Sequence, residues 1–163
     1  MKLSFQIIAL LCLFIGSAKA QVTKLPTEVK KGILDTHDPS LMKLVNKVSD
    51  IPVSILQVCK KEYSDFMLAN PQEQYQATCT VTNPNLPRRR LCWAVSIPGY
   101  FILHYELGGI SHSTHVFIFS YTPSKPNEAT LVWKGVSIPF PSYCEFYEAL
   151  AGKSLDDTLD YRH

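Results

Sequence analysis

The 163-residue sequence contains neither a G-x-G-x-x-G fingerprint nor a G-x-x-x-x-G-K-[S/T] phosphate-binding loop. The glycines of both motifs let a backbone approach phosphate groups closely, so their absence argues against a bound nucleotide. No serine sits in the G-x-S-x-G elbow of the common serine hydrolases either. We therefore expect no cofactor.

An excess of charge is also missing. The 16 Lys and Arg residues face 14 Asp and Glu residues, and two of the lysines, Lys2 and Lys19, fall within the first 20 residues. Without those 20 residues the basic and acidic counts are equal. Nucleic acids and anionic membranes are normally bound by clearly basic domains, so we expect no nucleic-acid partner.

No apolar run is long enough to cross a bilayer, which takes about 20 residues. The apolar stretch Ile7–Ile15 follows the basic Lys2 and precedes Ala18-Lys19-Ala20, a small-x-small sequence of the kind that signal peptidases cleave. The pattern predicts a signal peptide over Met1–Ala20 and a mature chain that is secreted or periplasmic, without a membrane anchor.

No C-x-x-C pair is present, so zinc knuckles and thioredoxin-type redox pairs are not indicated. Beyond Cys12, in the predicted signal peptide, four cysteines remain, an even number that favours two disulfides in an oxidising compartment. Four cysteines allow three connectivities. We expect Cys79–Cys92 across a hairpin and Cys59–Cys144 between two helices on one sheet face.

The apolar spacing predicts helices near both ends of the domain and strands between them. Residues 21–38 are polar and predicted to be an extended lead-in, residues 39–152 form the domain, and residues 153–163 form a polar tail. Helical spacing of apolar side chains predicts a short helix after Asp38-Pro39, a second after Asp50-Ile51-Pro52 with Cys59 facing inward, and a third ending near Gly152. The first two contain Leu41, Leu44, Val45, Val48, and then Val53, Leu56, Cys59, Tyr63; the third contains Tyr143, Phe146, Tyr147, Leu150.

Alternating and β-branched residues predict five strands between these helices. The predicted strands are Gln76–Thr82, Arg90–Ile97, Tyr100–Leu107, His115–Tyr121 and Ala129–Lys134. Consecutive strands joined by short turns favour an antiparallel meander. The fold class we expect is α+β, with about five antiparallel strands packed on one face by the N-terminal and C-terminal helices and stapled by disulfides.

Histidines are concentrated in one window: His104, His112 and His115 lie within twelve residues, together with Glu106. Strand alternation places His104 and Glu106 on one face, which we expect to be the more solvated one. The turn at Gly108-Gly109 would let His112 or His115 fold back beside them. Such a cluster could bind zinc or copper or transfer protons, but it could also be a structural set of hydrogen bonds around a tight turn.

Two functions remain open. The preferred one is a non-catalytic binding or inhibitor module of the cell envelope or extracellular space, a monomer that binds a protein, cell-wall or small-molecule partner through His104, Glu106, His112, His115 and Arg90. The alternative is a small hydrolase or metal-dependent enzyme that uses the same window. Convergence of the side chains separates the two, because ligands of one zinc each lie about 2 Å from a common point. We expect no resident metal.

Overall fold

The computed structural model describes residues 24–36, 38–81 and 83–152, which contain three α-helices and six β-strands. The helices are α1 (Thr27–Asp35), α2 (Val53–Glu62) and α3 (Tyr143–Ala151). The strands are β1 (Lys43–Val45), β2 (Leu68–Ala69), β3 (Arg89–Ile97), β4 (Tyr100–Leu107), β5 (Ser113–Tyr121) and β6 (Ala129–Ser137). The predicted signal peptide and the predicted tail lie outside the described residues.

The strands form one open sheet in the order β1-β3-β4-β5-β6, with every neighbouring pair antiparallel. The two-residue strand β2 runs parallel to the first residues of β3, on the edge of β3 that β1 also uses. The pairing of β3 with β4 shifts between Leu91 and Trp93, so Cys92 is an extra residue on the β3 side. The central meander β3–β6 confirms the antiparallel sheet expected from the sequence.

Both faces of the sheet are buried, which differs from the expected arrangement with helices on one face. Helices α1 and α3 cover one side, here called the α1/α3 face. Helix α2 covers the other side, the α2 face. Side chains on the α1/α3 face include Ile33, Trp93, Ile102, Val116, Ile118 and Phe146. Those on the α2 face include Ile55, Cys59, Phe101, Leu103, Tyr105, Phe117 and Phe119. Burial on both sides explains why β4 reads Phe-Ile-Leu-His-Tyr rather than alternating apolar with polar.

Helices α2 and α3 confirm two of the three predicted helices. Helix α2 buries Cys59, as expected, but buries Ile55 rather than Val53, which is 69% exposed. Helix α3 begins after Ser142, whose side chain accepts a hydrogen bond from the backbone N–H of Glu145, and its last residue precedes Gly152.

The helix predicted over residues 41–48 is wrong. Asp38-Pro39 starts only a 3₁₀ turn, Pro39–Leu41, and the chain then enters strand β1. Leu41 and Leu44 are more than half exposed, and only Val45 of the supposed helical stripe is buried. Pairing with β3 decides the outcome, since β1 occupies a sheet edge that would otherwise expose backbone groups.

Two other segments also differ from expectation. The lead-in expected to be extended contains α1, which buries Val29 and Ile33 in the core. Residues 76–81 contain no strand beyond a single parallel bridge between Thr78 and Gly109.

Both predicted disulfides are wrong, because all four described cysteines are free thiols. Cys59 lies in the core of the α2 face, whereas Cys144 is exposed at the start of α3, which packs on the opposite face. Cys79 lies in a loop and not on a strand paired with β3, so no hairpin places it opposite Cys92.

Among the residues that the structure describes, no helix combines the length and apolarity that a membrane span requires.

Candidate functional site

Strand β4 places His104 and Glu106 on the same face, as predicted, but that face is covered by α1 and α3. His104 is 1% exposed and packs against Trp93 and Phe140, with ring centroids 5.0 and 6.0 Å away. The expectation that this side of β4 is solvated is therefore wrong for His104. A second layer, which the spacing within β4 does not reveal, buries it.

Both ring nitrogens of His104 have backbone partners. Nδ1 lies 3.0 Å from the carbonyl oxygen of His115, and the backbone N–H of Phe140 donates to Nε2 over 3.4 Å. This arrangement defines a neutral ring with the proton on Nδ1. Burial lowers the pKa of His104 to about 4, and the hydrogen bond to His115 and the charge of Glu106 offset this only in part. These contacts are those of a structural core histidine.

His115 lies on the other side of the sheet. It is paired with Tyr105 in the β4–β5 ladder and stacks on the Tyr105 ring at 5.1 Å, with an interplanar angle of 8°. Its Nε2 atom lies 2.9 Å from the hydroxyl oxygen of Ser113. The imidazoles of His104 and His115 are thus separated by the sheet, and they cannot hold one metal ion or exchange one proton.

Glu106 and His112 do meet, and Arg90 joins them. The imidazole Nε2 of His112 is 2.6 Å from one carboxylate oxygen of Glu106, and Nε of Arg90 donates to the other oxygen. The Glu106 side chain is 13% exposed, and those of Arg90 and His112 are 33% and 48% exposed. The predicted cluster therefore reduces to Glu106, His112 and Arg90.

Tyr75 completes the cluster, although no pattern in the sequence indicates it. The Arg90 guanidinium carbon lies 4.4 Å from the centre of the Tyr75 ring. Burial raises the pKa of Tyr75 to about 12, helped by its hydrogen bond to the Glu106 carboxylate. No local motif marks Tyr75, because 30 residues lie between it and Glu106 and the two side chains meet only in the folded chain.

The electrostatics of Glu106 favour its charged form. Burial acts to raise the pKa of this carboxyl, but hydrogen bonds from His112, Arg90 and Tyr75 and the charge of Arg90 together lower it below its usual range. A general acid would need the opposite shift. We call this set of four side chains the Glu106 cluster. Its contacts link strands β3 and β4 to the neighbouring loops.

The Glu106 cluster stands beside two loops, residues 76–81 and 108–112, that are joined by a backbone hydrogen bond. The N–H of Gly109 donates to Ala77 O over 3.3 Å, and the N–H of Gly108 donates over 2.9 Å to the carbonyl oxygen of Arg88, next to strand β3. A Cβ atom on Gly108 would lie 1.8 Å from Gln76 O, so only glycine permits this approach. Residues 76–81 and 108–112 consequently form one surface.

A cavity of about 280 Å³ opens between these loops, and we call it the loop cleft. Ile110 and Val81 present aliphatic side chains that are 91% and 59% exposed. The residues that line the loop cleft include Gln76, Thr78, Cys79, Val81, Arg88 and Ile110. Large aliphatic side chains at such exposure, beside a concave surface, are features of binding sites.

The three consecutive arginines have different surroundings. Arg89 is buried between the rings of Tyr63 and Phe66, and its Nη2 is 3.3 Å from an Asp65 carboxylate oxygen. Arg90 is held by Glu106. Arg88 is exposed, lines the loop cleft, and has no carboxylate within ion-pair distance among the described residues.

A second, open cleft of about 490 Å³ lies between the loops after β1 and β2, with Cys92 on its wall. Burial raises the pKa of the Cys92 thiol to about 11, and the charge of Glu106 acts in the same direction. A thiol in this state is protonated at neutral pH and is a poor nucleophile. Within residues 24–36, 38–81 and 83–152, no three His, Cys, Asp or Glu side chains are grouped as metal ligands would be.

Comparison with known proteins gives no relative: no family model, no curated protein and no solved structure matches this chain. Any assignment of function rests on the geometry described above.

Proposed function

We propose that this chain is a non-catalytic binding module, exported to the cell envelope or the extracellular space, whose recognition surface is the loop cleft. The observation that carries the proposal is the pair of exposed aliphatic side chains, Ile110 and Val81, on two loops that are fixed to each other and to the sheet. A partner that covers both side chains would remove their apolar surface from water, which is favourable.

The Glu106 cluster supports this role by holding the recognition surface in one conformation. His112 lies two residues after Ile110, and its contact with Glu106 connects the 108–112 loop to strand β4. Tyr75, immediately before the other loop, contacts Arg90 and Glu106. A surface that is ordered before binding loses less conformational entropy when its partner arrives.

The arrangement of the histidine window favours binding over catalysis. His104 has both nitrogens occupied in the core, His115 is on the opposite face, and Glu106 is already engaged by three side chains. A general base needs a free lone pair directed at the substrate. The residues expected to bind a partner directly are therefore Ile110, Val81 and Arg88, while Glu106, His112 and Arg90 position their loops.

The proposal is tested by capture of a partner from the extracytoplasmic fraction of the cells that produce the protein. The immobilised chain is compared with Ile110→Ser and with the matched control Leu44→Ser. Leu44 is 57% exposed on strand β1, outside the loop cleft. We expect Ile110→Ser to lose at least about tenfold in captured partner, whereas Leu44→Ser retains it.

Equal capture by all three chains would place the recognition surface elsewhere. Thermal unfolding of both variants serves as the folding control, because an exposed side chain contributes little to stability and neither change should lower the melting temperature. Turnover that follows a metal ion and is lost on His112→Ala would instead favour the enzymatic alternative.

A further inference from the structure

The arginine run suggests what chemistry the loop cleft recognises. Arg89 and Arg90 each combine a carboxylate with an aromatic ring: Asp65 with Tyr63 and Phe66 for Arg89, and Glu106 with Tyr75 for Arg90. Arg88 has no such carboxylate among the described residues, and it lines the loop cleft beside Gly109, where its Nη2 would be 3.2 Å from an added Cβ atom.

We propose that the loop cleft binds an acidic peptide segment, with one carboxylate on the Arg88 guanidinium and a neighbouring aliphatic side chain against Ile110 and Val81. This inference rests on the proposed function and specifies its ligand. The guanidinium offers two parallel N–H donors, which match the two oxygens of a carboxylate. The aliphatic side chains supply the apolar contact beside it.

The charge of the cleft favours a carboxylate over a phosphate group. A phosphate monoester carries close to two negative charges at neutral pH and is usually held by several cations or backbone donors. Arg88 is the single cationic side chain among the residues that line the loop cleft, and the adjacent Arg89 and Arg90 are already paired. One guanidinium balances one carboxylate.

The size of the cleft favours a short segment of a peptide over a larger ligand. Sites for drug-sized molecules usually have volumes of 300 to 1,000 Å³ and enclose most of the ligand. The loop cleft, at about 280 Å³, lies just below that range and has Ile110 standing almost fully exposed at its margin. It therefore has room for one or two side chains of a partner whose remainder stays outside.

The test is an NMR titration of the ¹⁵N-labelled chain with the blocked tripeptide acetyl-Leu-Glu-Leu-amide. The matched probe is acetyl-Leu-Gln-Leu-amide, which has the same shape without the charge, and inorganic phosphate is a third probe. We expect the acidic peptide to shift the amide signals of residues 76–81, 88 and 108–112, and the Gln peptide to bind about tenfold more weakly.

Two substitutions test whether the Arg88 guanidinium binds the carboxylate of the peptide. Arg88→Gln should reduce the affinity for the acidic peptide about tenfold and leave that for the Gln peptide unchanged. The control Lys60→Gln removes an exposed positive charge at the end of α2 and should change neither. Signals from the core residues of each variant report whether it is folded.

Equal binding of both peptides, or binding of phosphate at the same residues with equal affinity, would overturn the assignment of a peptide carboxylate. So would an absence of shifts at the cleft up to the solubility of the acidic peptide. These outcomes are independent of the capture experiment: partner capture that still depends on Ile110 would leave the proposed function standing with a different ligand.

Discussion

The imidazole of His112 contacts the carboxylate of Glu106 at 2.6 Å, so the loop after β4 is attached to the strand it leaves by a contact between two titratable groups. Arg90 holds the same carboxylate from β3. Strands β3 and β4 and the loop after β4 are thus linked through a single, mostly buried carboxylate, and its replacement should weaken the contacts between all three.

We expect Glu106→Gln to reduce the free energy of unfolding by about 1 to 3 kcal/mol at pH 7, because it leaves the largely covered Arg90 without its counter-charge. The native pKa of Glu106 is lowered, so the stabilisation is present above the unfolded pKa of about 4.3 and is lost as the pH falls through the native pKa. Urea unfolding of the parent protein and of Glu106→Gln, at pH 7 and at pH 3, measures the difference in their free energies of unfolding.

The difference should shrink at pH 3. The control Glu128→Gln removes an exposed partner of Lys125 and should change the unfolding free energy by less than about 0.5 kcal/mol. A Glu106→Gln chain as stable as the parent at pH 7 would contradict the linking role of Glu106.

His104 should lower the stability of the protein in mild acid. Its native pKa of about 4 lies below the unfolded value of about 6.5, so the unfolded chain binds a proton first as the pH falls between these values. The free energy of unfolding should decrease by up to about 3 kcal/mol across that window. The ring signals of His104 in an NMR pH titration should stay those of the neutral form until close to pH 4.

The variant His104→Gln identifies those ring signals by their loss. It should also flatten the decrease in stability between pH 6.5 and pH 4. A His104 signal that titrates near pH 6.5 in the folded protein would show that the ring is not buried as described.

The four described cysteines should react with iodoacetamide in order of exposure. Cys79 and Cys144 are exposed and should be labelled first, and Cys92 more slowly. Burial raises the pKa of the Cys59 thiol to about 12, so it should be labelled only when the protein unfolds. Peptide mapping by mass spectrometry reads each site separately, and a Cys79–Cys92 or Cys59–Cys144 linked peptide would contradict the free thiols.

Gly108→Ala should separate the two loops of the cleft. The new Cβ atom would lie 1.8 Å from Gln76 O and 2.7 Å from the Cα atom of Ala77, so the backbone that carries the acceptor of the Gly109 hydrogen bond, Ala77 O, would have to move away. We expect faster hydrogen exchange at Gly109 and at neighbouring amides in residues 76–81, together with weaker partner capture.

Gly152→Ala is the matched control, since its Cβ atom would be 3.2 Å from Glu148 O at the end of α3, away from the cleft. It should leave both loops protected. Unchanged exchange in Gly108→Ala would show that the loops are not held together at this glycine.

The sequence was most informative where side chains pack continuously along a strand or helix. Strands β4 and β5 and helix α3 are long apolar segments with turn residues or a cap at their ends, and their positions were predicted. The sequence pattern predicts a helix where β1 lies, because the three residues of β1 on the sheet edge bury only Val45 and show no period of two. The strand conformation of β1 is determined by its hydrogen bonds to β3, a strand that is distant in sequence.

The candidate site was predictable only in its local part. Alternation along β4 placed His104 and Glu106 on one face, and the turn at Gly108-Gly109 brought His112 to Glu106. His104 is buried partly by Phe140, which is 36 residues later in the sequence and donates a backbone hydrogen bond to its ring. Glu106 has a further hydrogen-bond partner in Tyr75. Local spacing reveals neither contact, because both partners are distant in sequence. The same holds for the carboxylates that pair with Arg89 and Arg90 but not with Arg88.

Helices α1 and α3, close to the two ends of the described chain, pack on the same side of the sheet and contact each other, with the Tyr147 hydroxyl 3.5 Å from Leu34 O. Because Ile33, Trp93 and Phe146 share one core, the first two residues stay incompletely buried until Phe146 has been synthesised. A nascent chain that stops before residue 143 keeps an apolar sheet face open to chaperones and proteases. The core of the α1/α3 face can therefore close only after residues 143–151 have left the ribosome.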